Sequence, residues 1–194
     1  MPQTYLFDLD GTLIDTTIYE RCYQPIIQMI KQKRKLSLSE INKRAKALGL
    51  SKNEFDRWDT GDLCHAFDLL DDYYTILKQE VKGRSLLQEK VVQKLKTVHH
   101  QRQTVGIVSN SMRKTITLYL TTYKLLKYVN FVYSSEDAGC RKDTMAFWKK
   151  LVNRHNLDPK RCTVIGNNPL EDGTVPQKVG FKTILVSNLT TKRT

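Results

Sequence analysis

The chain has 194 residues, enough for one sizeable core or a core carrying one smaller insertion. With 40% hydrophobic and 27% charged residues it reads as an ordinary globular protein, and no apolar run approaches the length needed to cross a bilayer. Net charge is +12, from 32 Lys+Arg against 20 Asp+Glu, which admits a nucleic-acid surface, a funnel for small anions or a plain solvated basic face. The weak clustering (Lys31–Lys35, Lys43–Lys46, Lys149-Lys150, Lys192-Arg193) favours the solvated face, and nucleic acid is not an expected partner. Met1–Thr4 leads straight into a strand, so no signal peptide is expected. Cys22, Cys64, Cys140 and Cys162 are scattered without a Cys-x-x-Cys pair, which predicts reduced thiols in a cytoplasmic protein.

In chain order, Tyr5-Leu6-Phe7 predicts a buried strand that stops at Asp8-Leu9-Asp10-Gly11-Thr12. Side chains two apart on a strand share a face, so Asp8 and Asp10 are expected to project together. Two like charges side by side repel, and a core has no use for them. They make sense around a divalent cation, or as a nucleophile beside a proton carrier. Gly11 permits a sharp turn, and Thr12 adds a hydroxyl at the same spot.

Residues 15–83 read as helical. Ile18, Cys22, Ile26 and Ile30 form one stripe, with a kink or break expected at Pro25. Ile41, Ala45 and Leu48 form a second, closed by Gly49. Ser51-Lys52-Asn53-Glu54 fits a capping box for a short third helix, and Leu63, Ala66, Phe67, Leu70, Tyr74 and Leu77 mark a fourth. Beyond Gly83 strands and helices alternate: a helix from Ser85 with Leu87, Val91, Leu95 and Val98 on its apolar face, strand Val105–Val108, and helix Met112–Leu126. Strand Phe131–Tyr133, helix Asp143–His155, strand Thr163–Ile165, helix Asp172–Val179 and strand Thr183–Val186 complete the series, and Ser187–Thr194 reads as a loose polar tail. The expected fold class is therefore α/β: a Rossmann-like parallel sheet sandwiched by helices (residues 1–14 and 84–194), with a helical-bundle cap (15–83) inserted after the first strand.

Polar groups recur at the ends of four predicted strands. They are Asp8 and Asp10, then Ser109 with Asn110, then Lys142, then Gly166-Asn167-Asn168-Pro169-Leu170-Glu171-Asp172. Carboxylates for a cation, with a hydroxyl and a lysine for an anion, suit a phosphoryl group held with a metal.

In type, order and placement these stretches resemble the motifs of the haloacid dehalogenase superfamily, in its helical-capped branch of phosphoglycolate phosphatase-like and β-phosphoglucomutase-like members. The resemblance implies Asp8 as nucleophile, forming an aspartyl-phosphate, with Asp10 as acid and then base. It implies that Ser109 binds the phosphoryl group, with Gly11, Thr12 and Asn110 beside it and Lys142 neutralising charge. It also implies Mg²⁺ as cofactor, held by Asp8, the Asp10 carbonyl and Asp172. Asn167 stands where the family usually has Asp, which makes the metal site less anionic. Glu171 is an alternative source of charge, though it reads as an exposed turn carboxylate. Dehalogenases and phosphonate-cleaving members lack an acid at the position of Asp10. Asp10 therefore favours phosphate ester chemistry, and the expected activity is a Mg²⁺-dependent phosphatase of a small phosphorylated metabolite, with a phosphomutase of the β-phosphoglucomutase type as alternative. A catalytically weak nucleic-acid-binding or adaptor protein is the reading from another class. Tyr19, Arg21, Arg57 and Trp58 are candidate substrate contacts in the insertion.

Overall fold

In the computed structural model, residues 2–50, 52 and 56–186 are described. The predicted capping box at Ser51–Glu54 and the tail 187–194 fall almost wholly outside them. By compactness the chain divides into two units, Met1–Asp15 with Leu86–Thr194, and Thr16–Ser85.

Within the first unit, five strands among the described residues form one parallel sheet in the order β3-β2-β1-β4-β5. They are β1 (Thr4–Phe7), β2 (Thr104–Ser109), β3 (Phe131–Ser134), β4 (Cys162–Gly166) and β5 (Lys182–Leu185). β1 lies in the middle, with Leu6 opposite Gly106 on one side and Val164 on the other. β2 and β4 are buried at nearly every position. Strands covered on both faces are apolar runs and do not alternate, which is why these three read clearly. One core cluster gathers Leu6, Val108, Tyr133, Phe147, Trp148 and Val164.

The helices around the sheet are shorter than the periodicity predicts. α5 (Glu89–His100) begins after Leu87, and its buried face is Val92, Leu95 and Val98, so Val92 and not Val91 points inward. Leu86 and Leu87 are held instead in a neck: Ile14 bridges Leu87, Asp15 N–H donates to the Leu86 carbonyl, and Gln88 N–H donates to Leu13. α6 (Arg113–Thr122) stops four residues early, and a separate 3₁₀ turn, Leu126–Tyr128, precedes β3. A short α7 (Ser135–Ala138) and α8 (Met145–His155) follow. Between β4 and β5 the chain makes one π-helical turn, Pro169–Thr174, and then α9 (Val175–Val179).

The second unit contains α1 (Thr17–Arg34), α2 (Leu38–Ala47), α3 (Thr60–Ala66) and α4 (Leu70–Val81). Of the kink or break expected at Pro25, the break does not occur: α1 is one helix from Thr17 to Arg34. Pro25 is on the exposed side of the helix, where the carbonyl that its missing N–H leaves unbonded is open to solvent. The fourth predicted helix is in fact two, α3 and α4, because Asp68 takes a left-handed conformation (φ 53°) between them. The periodic residues survive that break since Leu63, Phe67, Tyr74 and Leu77 are all buried. Leu48 is exposed and closes α2 as its C-cap, so it is no part of the apolar stripe. A cavity of about 200 Å³ in this unit is lined by Tyr19, Arg57 and Trp58 but not by Arg21. Trp58 donates its indole N–H to Asn42. No helix among the described residues is long and apolar enough to cross a membrane.

Trp148 tests how the core supports the strand ends. It is fully buried and donates its indole N–H to the Lys142 carbonyl at 2.9 Å. Trp148→Phe keeps most of the apolar surface but strands that carbonyl, so urea unfolding should show a loss of about 1–3 kcal/mol. An unchanged midpoint would mean that the hydrogen bond contributes nothing.

Candidate active site

The site lies at the carboxyl ends of β1, β2 and β4 and in the loop between α7 and α8. β1 stops at Phe7, so strand alternation reaches only Asp8, whose N–H still donates to Ile165 of β4. After that the chain folds into a tight turn, with Leu13 and Ile14 both donating to the Leu9 carbonyl. Gly11 has φ +78°, and a Cβ there would stand 2.5 Å from the Asn167 amide nitrogen. Conformation and space therefore both require glycine.

Lys142 is the centre of the arrangement. Its ammonium is fully buried and lies 2.6 Å from Asp8 Oδ1 and 2.6 Å from Asp172 Oδ1, with the Val108 carbonyl at 3.3 Å. Its own N–H donates to Asn110 Oδ1 at 2.9 Å, and its carbonyl takes the Trp148 indole. A long flexible side chain is thus fixed at both ends. Asp172 reaches the ammonium across the end of β4, where Gly166 leaves room; a Cβ on Gly166 would stand 2.2 Å from the Asp172 carboxylate. The other Asp172 oxygen accepts from Asn168 N–H at 3.0 Å.

Asp8 Oδ2 takes the Thr12 hydroxyl at 2.9 Å, and the same hydroxyl lies 3.2 Å from Asn167 Oδ1. Thr12 is fully buried, so its oxygen serves Asp8 and Asn167. Ser109 is buried and its Oγ accepts from Ser111 N–H at 3.0 Å. The Asn110 side chain is spent internally: Oδ1 on Lys142 N–H and Nδ2 on Glu171 Oε2 at 2.9 Å. Its carbonyl accepts from the Ser135 hydroxyl. Glu171 corrects the sequence expectation, being half-buried and bonded to Asn110, not exposed. Ser111 was not singled out from sequence. Its hydroxyl donates to Asp10 Oδ2 at 2.6 Å, and its place two residues after Ser109 was the only available signal.

Charge does not balance here. Burial pushes the Asp8 carboxyl up to about 7, Asp172 and Asp10 add to the rise, and Lys142 opposes it. Burial pulls the Lys142 ammonium down, but Asp8 and Asp172 outweigh it and raise its pKa above the ordinary lysine value. Burial also raises Glu171. One ammonium serves two buried carboxylates, and Asp172 Oδ1 makes no well-directed hydrogen bond even to it. Among the described residues no three acidic, His or Cys side chains converge as a ready-made metal cage. The hard oxygen donors of Asp8 and Asp172, with surplus negative charge, nevertheless fit Mg²⁺, which takes one or two carboxylates and keeps several waters.

Removing the ammonium should be costly. Lys142→Met should lower the unfolding free energy by about 3–5 kcal/mol in the presence of EDTA, because two buried carboxylates lose their counter-ion. Combining it with Asp8→Asn should restore part of the loss. If urea melts show no loss in the single variant, the buried triad is not charged as described.

The family described as haloacid dehalogenase-like hydrolase matches residues 5–186. No curated protein sequence gives a significant match. Among solved structures, a haloacid dehalogenase-type phosphatase from Thermococcus onnurineus is similar over 95% of this chain and 86% of its own, at 19% identity and a TM-score of 0.71. A 2-haloacid dehalogenase from Pseudomonas syringae pv. Tomato DC3000 matches over 95% and 86%, at 18% identity and 0.66. The putative hydrolase YfnB from Bacillus subtilis, solved bound to magnesium, matches over 95% and 88%, at 16% identity and 0.62. These likenesses show a shared fold, including helices inserted between β1 and β2. With the family match spanning nearly the whole chain, the protein belongs to the haloacid dehalogenase-like hydrolases.

Proposed function

We propose that the protein is a Mg²⁺-dependent phosphatase of a small phosphorylated metabolite, working through an aspartyl-phosphate on Asp8. The observation that carries this reading is Asp8 held at both oxygens, by Lys142 and by Thr12, beside a second acid, Asp10. A carboxylate so fixed is oriented for attack, and the Lys142 ammonium favours its ionised, nucleophilic form against the burial that raises its pKa. In the first step an Asp8 oxygen bonds to phosphorus and the ester P–O bond breaks. Asp10, steadied by Ser111, gives its proton to the departing alkoxide. In the second step Asp10 takes a proton from water, whose oxygen attacks phosphorus. The bond to Asp8 then breaks, and inorganic phosphate leaves. Lys142 lowers the negative charge that otherwise opposes an approaching phosphate. Bound Mg²⁺ supplies further charge neutralisation, with Asp8, Asp172 and the Asp10 carbonyl as the donors that fit it. Dehalogenation is the alternative chemistry within the family, and the presence of Asp10 disfavours it because carbon–halogen cleavage needs no proton donor.

The direct test is a screen of phosphate esters with and without Mg²⁺. Wild type should hydrolyse one class of small ester only with the cation, and Asp8→Asn should abolish turnover while leaving the melting temperature nearly unchanged. Ester hydrolysis at the wild-type rate by Asp8→Asn would overturn the assignment.

Ser111→Ala probes the acid. It removes a hydrogen bond to Asp10 of a kind worth about 1.5–3 kcal/mol, so kcat should fall roughly 10-fold or more for alkyl esters. Aryl phosphates, whose leaving groups need little protonation, should lose less. Equal losses for both classes would remove Ser111 and Asp10 from the proton-transfer step.

Asn167→Asp addresses the metal. A carboxylate beside Thr12 and Asp8 adds negative charge to the site, so the Mg²⁺ concentration giving half of the maximal melting-temperature increase should fall. No change, or a rise, would mean that residue 167 acts only through Thr12 and not on the cation.

A further inference from the structure

The opposite end of the sheet carries chemistry that the site does not use. From Lys90 to Ser135 the sequence contains no Asp or Glu. The cations of this stretch toward that end lie on α5 (Lys94, Lys96), in the turn after it (Arg102) and before β3 (Lys124, Lys127). Among the described residues none of these five enters an ion pair with a carboxylate. α5 turns Val92, Leu95 and Val98 toward the sheet, which leaves its cationic positions outward.

Aromatic rings stand among these cations. Tyr128 is half-buried and meets His99 and His100 edge-on, with ring centroids 5.5 and 5.9 Å away. Lys127 and Lys96 place their ammonium groups 5.1 and 6.0 Å from the Tyr128 ring centre. On the other flank of α5, Lys94 lies 5.8 Å from the Tyr5 ring centre. The parallel register fixes where this surface is. α5 ends and the Leu126–Tyr128 turn sits at the amino ends of β2 and β3, whereas Asp8, Ser109 and Asp172 cluster at the carboxyl ends. A phosphate held at the active site therefore does not account for it.

We propose that α5 and the Leu126–Tyr128 turn form a binding surface for single-stranded nucleic acid. An unopposed field of cations spaced along a helix and its neighbouring turn matches a chain of phosphates. Half-exposed rings interleaved with those cations match unpaired bases, each of which offers a face to stack. A duplex hides its base faces and would leave Tyr128, His99 and His100 without a role. An acidic peptide does not offer a ring at every repeat of its charge. This inference is independent of the phosphatase reading and contradicts the expectation that the basic excess is only a solvated face.

The test is fluorescence anisotropy with a labelled oligo-dT or oligo-rU and the full chain, titrated at several salt concentrations. A duplex of the same length, heparin and phosphatidylserine vesicles are the competitors. Affinity for the single strand should fall linearly on a log–log plot against salt, with a slope of about −0.7 per phosphate contact. Tyr128→Leu, which keeps apolar bulk but removes the π face, should weaken binding roughly 10-fold with the slope unchanged. The double variant Lys96→Gln, Lys127→Gln should shallow the slope by about one to two. All variants should keep wild-type melting temperatures and ester turnover. Failure to bind the single strand at low salt would overturn the proposal. So would duplex, heparin or vesicles binding as tightly as the single strand, or a Tyr128→Leu variant indistinguishable from wild type.

Discussion

One buried ammonium between two buried carboxylates is the constraint on which the rest of the sheet-bearing unit depends. Taking three charged groups out of water is expensive, and attraction offsets that cost only when geometry is close and the remaining valences are satisfied. The structure meets the condition by fixing Lys142 through Asn110, Trp148 and the Val108 carbonyl. Asp8 is fixed through Thr12 and its pairing with Ile165. Asp172 is fixed through Asn168 and the space over Gly166. Three strands, one loop and one π-helical turn thereby converge on a single nitrogen. The remaining imbalance, two carboxylates against one ammonium, is what a divalent cation and a phosphoryl group together would resolve.

This view assigns the polar residues around the strand ends to different tasks. Asn110 links the Lys142 main chain to Glu171, and Ser109 receives Ser111 N–H, so both hold the loop after β2 in shape. Ser111 then presents its hydroxyl to Asp10. The wide turn at Pro169–Thr174 carries Asp172 inward, while its neighbour Glu171 braces Asn110. Asn167 contributes no charge. Its amide covers Gly11 and touches Thr12, which ties β4 to the turn after β1.

Much of this was legible in the sequence for a physical reason. Strands buried on both faces must be apolar runs, so β1, β2 and β4 announced the sheet, and the polar groups where those runs end marked the candidate site. What escaped were features set by tertiary context. Pro25 stays within α1 because its side of the helix faces water, and Asp68 divides α3 from α4 through a local left-handed turn that the apolar spacing passes over. Leu87 fits the period of α5 but is taken by the neck with Ile14. Glu171 reads as a solvated turn residue until Asn110 is brought to it from another strand, and Ser111 matters only because the first turn delivers Asp10 to it.

The central claim is that Asp8 is covalently phosphorylated during turnover. It is tested most directly by quenching the enzyme with borohydride while it hydrolyses its preferred ester and then sequencing the peptide containing residue 8 by mass spectrometry. An acyl-phosphate is reduced to the alcohol, so the account predicts homoserine at position 8, dependent on ester and on Mg²⁺ and absent from Asp10. Unmodified Asp8 under conditions of rapid, Mg²⁺-dependent ester hydrolysis, or homoserine at position 10 instead, would contradict it.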